Sequence, residues 1–253
     1  MTDGAQQAAT RPDFSEFGPT ESTPLTKIQQ IGGRALARNW TEIPHVTHQD
    51  EADVTELELR RSDIGARSPP EKPSALAVYA KAVVAALAEF PKFNASLDVT
   101  RGELILKKYF HLGFAIDTPN GLVVGVVRDC DRKAAREIGR ELSALAAKAR
   151  ARGLSYAEMS GGSFTISSLG ANGGTGFSPI INAPEVAILG LSRVLDRPVR
   201  GPSGELLWRR MLPLSLSYDH RVINGADAAQ FTTRLRELIA DPALFEKAAG
   251  ADG

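Results

Sequence analysis

The chain has 253 residues, 43% of them hydrophobic, enough to bury one substantial core, and no internal repeat or mid-chain linker divides it. Thirty basic residues balance thirty acidic ones, which excludes a global field that would draw in nucleic acid or an anionic membrane. Cys130 is the only cysteine, which excludes an internal disulfide and a cysteine-based metal cluster and fits a reducing compartment.

Residues 1–22 are polar and rich in Ala, Gly, Pro and Ser, so they are expected to form a tail or linker remnant. They carry neither a signal-peptide core nor an Arg-rich amphipathic pattern, and no run of about eighteen apolar residues follows anywhere. The expectation is a soluble, cytoplasmic protein. A folded domain spans 23–245, and 246–253 read as a second flexible tail.

The first helix is LTKIQQIGGRALARNW, with apolar residues at Leu25, Ile28, Ile31, Ala35 and Leu36 and a weakening Gly32-Gly33 pair. HVTHQDEADV alternates as a strand, and Thr55 with Glu58 predicts a capping box opening a second helix. After the loop SPPEKP, Ser74 is expected to cap ALAVYAKAVVAALAEF, an apolar core helix that Pro91 ends. From Phe93 to Val127 the pattern turns to β in NASLDV, ELILKKYFHLGFAID and GLVVGVVRD, with turns at Thr100-Arg101-Gly102 and Pro119-Asn120-Gly121. Asp131 to Arg152 reads as the longest helix. SFTISSL, EVAILGLSRV and ELLWRRMLPLSLS read as strands, and a helix from Ala226 to Ala240 closes the chain. Helices mixed with hairpins predict an α+β layered sandwich.

His220 is the residue best placed for chemistry, between a buried strand and the Asn224-Gly225 turn that opens the last helix. An imidazole of ordinary pKa near 6.5 can take and return a proton at neutral pH, as acyl transfer to a thiol or hydroxyl requires. Against a thiol of pKa about 8.5, full proton transfer is uphill by about 2.7 kcal/mol, a small part of an acyl-transfer barrier. The bland reading of a lone histidine beside a turn is a structural hydrogen-bonder. His45 and His48 have an H-x-x-H spacing, but in a strand it sends the two rings to opposite faces, so no metal site is expected. His111 reads as a strand histidine, Cys130 as a small buried residue, and GGTG at Gly173 to Gly176 as a turn, because it lacks the ending of a phosphate loop.

SYDHRVINGADAAQF resembles the active-site segment of the dihydrolipoyl acyltransferases of 2-oxoacid dehydrogenase complexes, in their pyruvate-type, acetyl-transferring form. NWTEIPHVTHQDEADVTELE, GFAIDTPNGLVV, SFTISSLG, INAPEVAILGLSRV and LPLSLSYDHRVING resemble further blocks of that catalytic domain, in order, over roughly Phe14 to Ala240. The resemblance implies a chloramphenicol acetyltransferase-like two-layer sandwich. It implies His220 as general base toward the thiol of coenzyme A or dihydrolipoamide, and Ser167 as the hydroxyl that stabilises the tetrahedral oxyanion. Ser168 competes for that role, since adjacent strand residues face opposite ways. Arg61 and Asp117 match an ion pair near the family's site.

Where the wider superfamily has Asp, this chain has Asn224, expected to support the turn and the thiol-base pair, and Gly125 stands where proline is common. The resemblance implies acetyl-CoA and coenzyme A as substrates, a homotrimer with His and Ser brought together from neighbouring chains, and lipoyl-domain and 2-oxoacid dehydrogenase partners. The sequence has no residues for a lipoyl domain, so the lipoyl group is expected in trans. PALFEKAAGADG lacks the hydrophobic ending of cage-forming cores, so a trimer is expected and a larger cage is open. An acyltransferase with another acceptor and a non-catalytic scaffold are the alternatives.

Overall fold

In the computed structural model, residues 12–67, 72–241 and 243 are described. The segments 1–11 and 246–253, Leu244, Phe245 and part of the SPPEKP loop lie outside them. Phe14–Phe17 forms a short 3-10 turn capped by Asp13, so the predicted tail carries local structure before residue 22.

The elements are α1 (Lys27–Glu42), β1 (His45–Asp53), α2 (Thr55–Arg67), α3 (Ala75–Glu89), β2 (Ala95–Asp98), β3 (Glu103–Leu106), β4 (Leu112–Ile116) and β5 (Val123–Val127). Then come α4 (Ala135–Arg152), α5 (Tyr156–Met159), β6 (Phe164–Ser168), β7 (Ala187–Leu191), β8 (Leu195–Arg200), β9 (Leu206–Asp219) and α6 (Gly225–Ala240). Seven strands form one mixed sheet in the order β1-β9-β7-β6-β4-β5, with β8 also paired to β9, while β2 and β3 make a separate hairpin. β4, β6 and β7 run parallel, and β9 runs antiparallel to β7, β8 and β1. The expected α+β sandwich is what the chain forms.

Strand alternation sends Leu112, Phe114, Phe164, Ile166, Leu189, Leu191, Leu214, Leu216 and Tyr218 into the main core shared with α3 and α6. Phe93 and Phe231 stack at its centre, with ring centroids 4.3 Å apart. The other face carries Thr165, Ser167, Gly190, Ser215 and Ser217, with Ile188 between Thr165 and Ser217.

Several element boundaries differ from the sequence reading for identifiable reasons. Thr26, not a residue before Leu25, starts α1, because its hydroxyl accepts from Gln29 N–H and the Gln29 side chain accepts from Thr26 N–H. No Thr55–Glu58 box forms at α2. Thr55 is instead bound by Asp53 Oδ1, its hydroxyl also accepts from Arg210 N–H, and Glu58 is held by Arg61. Ser74 occupies the cap position of α3 without a side-chain cap bond. α4 starts at Ala135, since Lys81 Nζ gathers the carbonyls of Cys130, Asp131 and Lys133 at 2.9, 3.1 and 2.8 Å and holds that segment outside the helix. ELILKKYFHLGFAID splits in two: β3 joins the hairpin, and β4 joins the main sheet.

Candidate active site

His220 follows the last residue of β9, and its backbone N–H donates to Pro44 O at 3.0 Å. The ring is exposed and lies tilted over buried Tyr218, with centroids 5.8 Å apart. Burial pushes the Tyr218 phenol up, so it stays protonated beneath the imidazole. Asp219 closes the turn: its carbonyl accepts from Val222 and Ile223 N–H, and its carboxylate accepts from Arg221 N–H at 3.0 Å. The Arg221 guanidinium grips that carboxylate through Nε at 2.9 Å and Nη2 at 2.7 Å, and this bonding holds the guanidinium above its ordinary pKa. A cavity of about 420 Å³ opens beside the turn, with Arg38, Glu42, Asp219 and Arg221 in its walls.

Asn224 is the N-cap of α6. Its Oδ1 accepts from Asp227 N–H at 2.8 Å, and Asp227 reaches back to Asn224 N–H at 3.4 Å. Asn224→Ala is expected to cost about 1 kcal/mol through this cap, lowering Tm by about 2–4 °C in a thermal melt. Unchanged turnover in that variant would leave Asn224 a structural role only.

Ser167 is half-buried near the end of β6, opposite Gly190, which in turn lies opposite Ser215. It sits on the sheet face away from the helices, where the Phe177 ring covers Gly190 so closely that a Cβ there would lie 2.7 Å from it. Ser168 points to the other side, into a cleft of about 500 Å³ with Glu58, Tyr79 and Arg210. Five residues of β9 and two strand spacings separate Ser167 from His220, roughly 19 Å at ~3.3 Å per residue and ~4.8 Å between strands. One chain therefore does not bring them together. The expected Arg61–Asp117 pair is not made within the chain either: Glu58, one turn ahead, takes the guanidinium at 3.1 Å, Pro73 O takes Nη1 at 2.6 Å, and Asp117 is exposed.

The other titratable candidates have structural partners. His45 Nε2 accepts from Ile181 N–H at 2.8 Å, which fixes the proton on Nδ1 for the bond to Ile43 O at 2.7 Å. Both nitrogens are thus spent. His111 Nδ1 accepts from Asp129 N–H at 3.0 Å, and burial holds the ring below its ordinary pKa. Cys130 is buried, its thiol pushed up to about 11 by burial, which makes it a poor nucleophile. No cluster of three or more metal-ligating side chains occurs among the described residues, and no described helix is long and apolar enough to cross a membrane.

Glu185 and the Asp219–Arg221 pair escaped the sequence reading. A Tyr-Asp-His-Arg run after an apolar strand was the available signal for the pair. Glu185 is 3% exposed; Oε1 accepts from Asn182 at 3.2 Å, and Oε2 has no hydrogen-bond partner. Burial pushes its carboxyl up to about 7, against the opposing pull of nearby Thr165, Lys107 and Asn182. Because the native group holds its proton to higher pH than the unfolded one, stability is fully present at low pH and falls as the pH rises through neutrality. Glu185→Gln is expected to flatten the decline in Tm between about pH 5 and pH 8. An equally steep decline in the variant would place its source elsewhere.

The fold is that of chloramphenicol acetyltransferase, to which the chain is 16% identical with a TM-score of 0.56, covering 84% of this chain and 99% of that one. The family model for the 2-oxoacid dehydrogenases acyltransferase (catalytic domain) matches residues 17–246, and the chain belongs to that family. It is 53% identical over 231 residues to the dihydrolipoyllysine-residue acetyltransferase component of the pyruvate dehydrogenase complex of Cupriavidus necator, covering 90% of this chain and 41% of the relative. The chain thus spans about two fifths of the length of such curated relatives. Among solved structures, the dihydrolipoamide acetyltransferase of Azotobacter vinelandii superposes with a TM-score of 0.89 at 48% identity, covering 93% of this chain and 97% of that one. That structure concerns the roles of a serine, a histidine and an asparagine in the catalytic mechanism. The cubic core of a pyruvate dehydrogenase multienzyme complex matches with the same score, identity and coverage.

Proposed function

We propose that the chain is the catalytic core of a dihydrolipoamide acetyltransferase, moving an acetyl group between dihydrolipoamide and coenzyme A. The observation that carries this is an exposed imidazole, His220, on a locked turn, four residues ahead of Asn224, the same separation as the histidine and asparagine studied in the A. vinelandii enzyme. His220 removes the thiol proton as sulfur attacks the thioester carbonyl, and a serine hydroxyl donates to the oxyanion. On collapse of the tetrahedral intermediate, the imidazolium returns its proton to the departing thiolate. No acyl-enzyme forms.

The separation of Ser167 and His220 within one chain supports an assembly in which each site joins the histidine of one protomer to the serine of the next. We read this as a homotrimer, whose heterologous interfaces close into a ring. Coenzyme A is a substrate in this reading, and the lipoyl group arrives on a partner domain of the dehydrogenase complex. Ser167 is the favoured hydroxyl because it lies on the sheet face away from the helical core, in line with Gly190 and Ser215; the A. vinelandii serine stands 52 residues before its histidine, a count that reaches Ser168 unless this chain has one residue more in between. Acetyl transfer from acetyl-CoA to free dihydrolipoamide tests the activity. Its absence in the wild-type chain would favour a scaffold or a different acceptor.

A further inference from the structure

The segment between β6 and β7 lies across the sheet face that carries Ser167, and side chains from other elements hold it there. At its β7 end, Ile181 N–H donates to His45 Nε2 at 2.8 Å, Asn39 Nδ2 donates to Ile181 O at 3.0 Å, and the Ile181 side chain packs with Ile43 and Ile188. At its β6 end, Gly173 and Gly174 take φ of +98° and +85°, and a Cβ on either would meet nothing within 4 Å. Between these ends, Phe177 is held through its backbone. Its N–H donates to Ser215 Oγ and its carbonyl accepts from Gln49 Nε2, both at 3.4 Å, while Ser215 Oγ donates to Gln49 Oε1 at 2.6 Å.

Strand register fixes where that phenylalanine lies. Ser167, Gly190, Ser215 and Gln49 are successive Cα partners on β6, β7, β9 and β1, so they form one row on one face of the sheet, at a spacing of ~4.8 Å. The Phe177 backbone is bonded at the Ser215 and Gln49 end of this row. Its ring rests on Gly190, where an added Cβ would lie 2.7, 2.9 and 3.2 Å from three ring carbons. The next position in the row is Ser167. The ring therefore borders the serine at about one strand spacing, and neither a phenyl ring nor a glycine Cα offers a polar side-chain atom to its hydroxyl.

We propose that Phe177 walls the β7 flank of Ser167, and that Gln49 and Ser215 are positioning residues that latch its ring onto Gly190. The proposal rests on Ser167 being the oxyanion donor. With the ring in place, water is kept off that flank, and the hydroxyl stays free for the oxygen of the tetrahedral intermediate. Without the Gln49 carboxamide, the Phe177 carbonyl loses its donor and the buried Ser215 hydroxyl loses its acceptor. The strap then moves off the row, with the two glycines as its hinge, and water takes the place of the ring.

Gln49 is exposed, so Gln49→Leu is expected to fold. In acetyl transfer from acetyl-CoA to dihydrolipoamide by the assembled chain, this variant is expected to lose about tenfold in kcat with both KM values within about twofold of wild type, less than the ~hundredfold that a 1 Å misplacement can cost. Phe177→Ala is expected to lose at least as much, and the double variant no more than Phe177→Ala, because Gln49 acts through the ring. Ser215→Ala repeats the test from β9, and Phe177→Leu serves should the alanine variant not fold. Deuterium exchange in the peptide that carries Phe177 is expected to be faster in Gln49→Leu, a readout that needs no substrate. A latch with a merely structural role would lower Tm and leave kcat in place. That result, losses that multiply in the double variant, or unchanged exchange overturns the proposal. No transfer by the wild-type chain would overturn the underlying reading too, and the exchange result would then tell whether the latch itself exists.

Discussion

Replacing His220 by alanine is expected to lower kcat by about two to four orders of magnitude while the thermal melt stays close to that of the wild type. The size follows from what the imidazole does in the proposed reaction. Without it, the thiol must lose its proton to water or attack undissociated, and the departing thiolate has no positioned acid. The stability expectation follows from the structure: the ring is exposed, and the turn is held by the Asp219 and Pro44 bonds, which involve backbone and Arg221 but not the imidazole. The measurement is acetyl-CoA-dependent acetylation of dihydrolipoamide at saturating substrates. A variant within tenfold of wild type would return His220 to a structural role.

Ser167→Ala is expected to cost about a hundred- to a thousandfold in kcat, the loss seen when one oxyanion donor is removed, with Ser168→Ala within a few fold of wild type. The reverse order would move the role to the cleft-facing hydroxyl. A mixing experiment reads the quaternary part directly. In trimers co-assembled from equal amounts of His220→Ala and Ser167→Ala chains, about a quarter of the interfaces join an intact histidine to an intact serine, so activity returns to about a quarter of wild type. Mixtures no more active than either parent would mean that serine and histidine are not shared between chains.

The layers of the fold were legible in the sequence because its periodicities are strong. ELLWRRMLPLSLS read as a strand, whose Leu214 and Leu216 do enter the core, and the apolar density of ALAVYAKAVVAALAEF marked a buried helix. Boundaries set by contacts distant in sequence were not legible. Nothing local announces that Lys81 will hold back the start of α4, or that Pro198 will sit in the edge strand β8, paired only with β9. His220 and Ser167 could be named from their motif blocks, but their separation depends on strand order and register, which are properties of the assembled sheet. The Arg61–Asp117 expectation shows the same limit from the other side. A guanidinium binds the carboxylate that local geometry offers, here Glu58.

β9 runs unbroken for fourteen residues, flanked along one edge by β1 and along the other by β7 and β8 in succession. So braced, it works as a ruler of fixed length: no small slip of one strand can draw hydroxyl and imidazole nearer. In a ring built this way, every protomer equips the pocket on its left with one reagent and the pocket on its right with the other. Loss of a single protomer from three would then silence two pockets out of three, so catalytic output would decay with dilution more steeply than the head-count of folded chains.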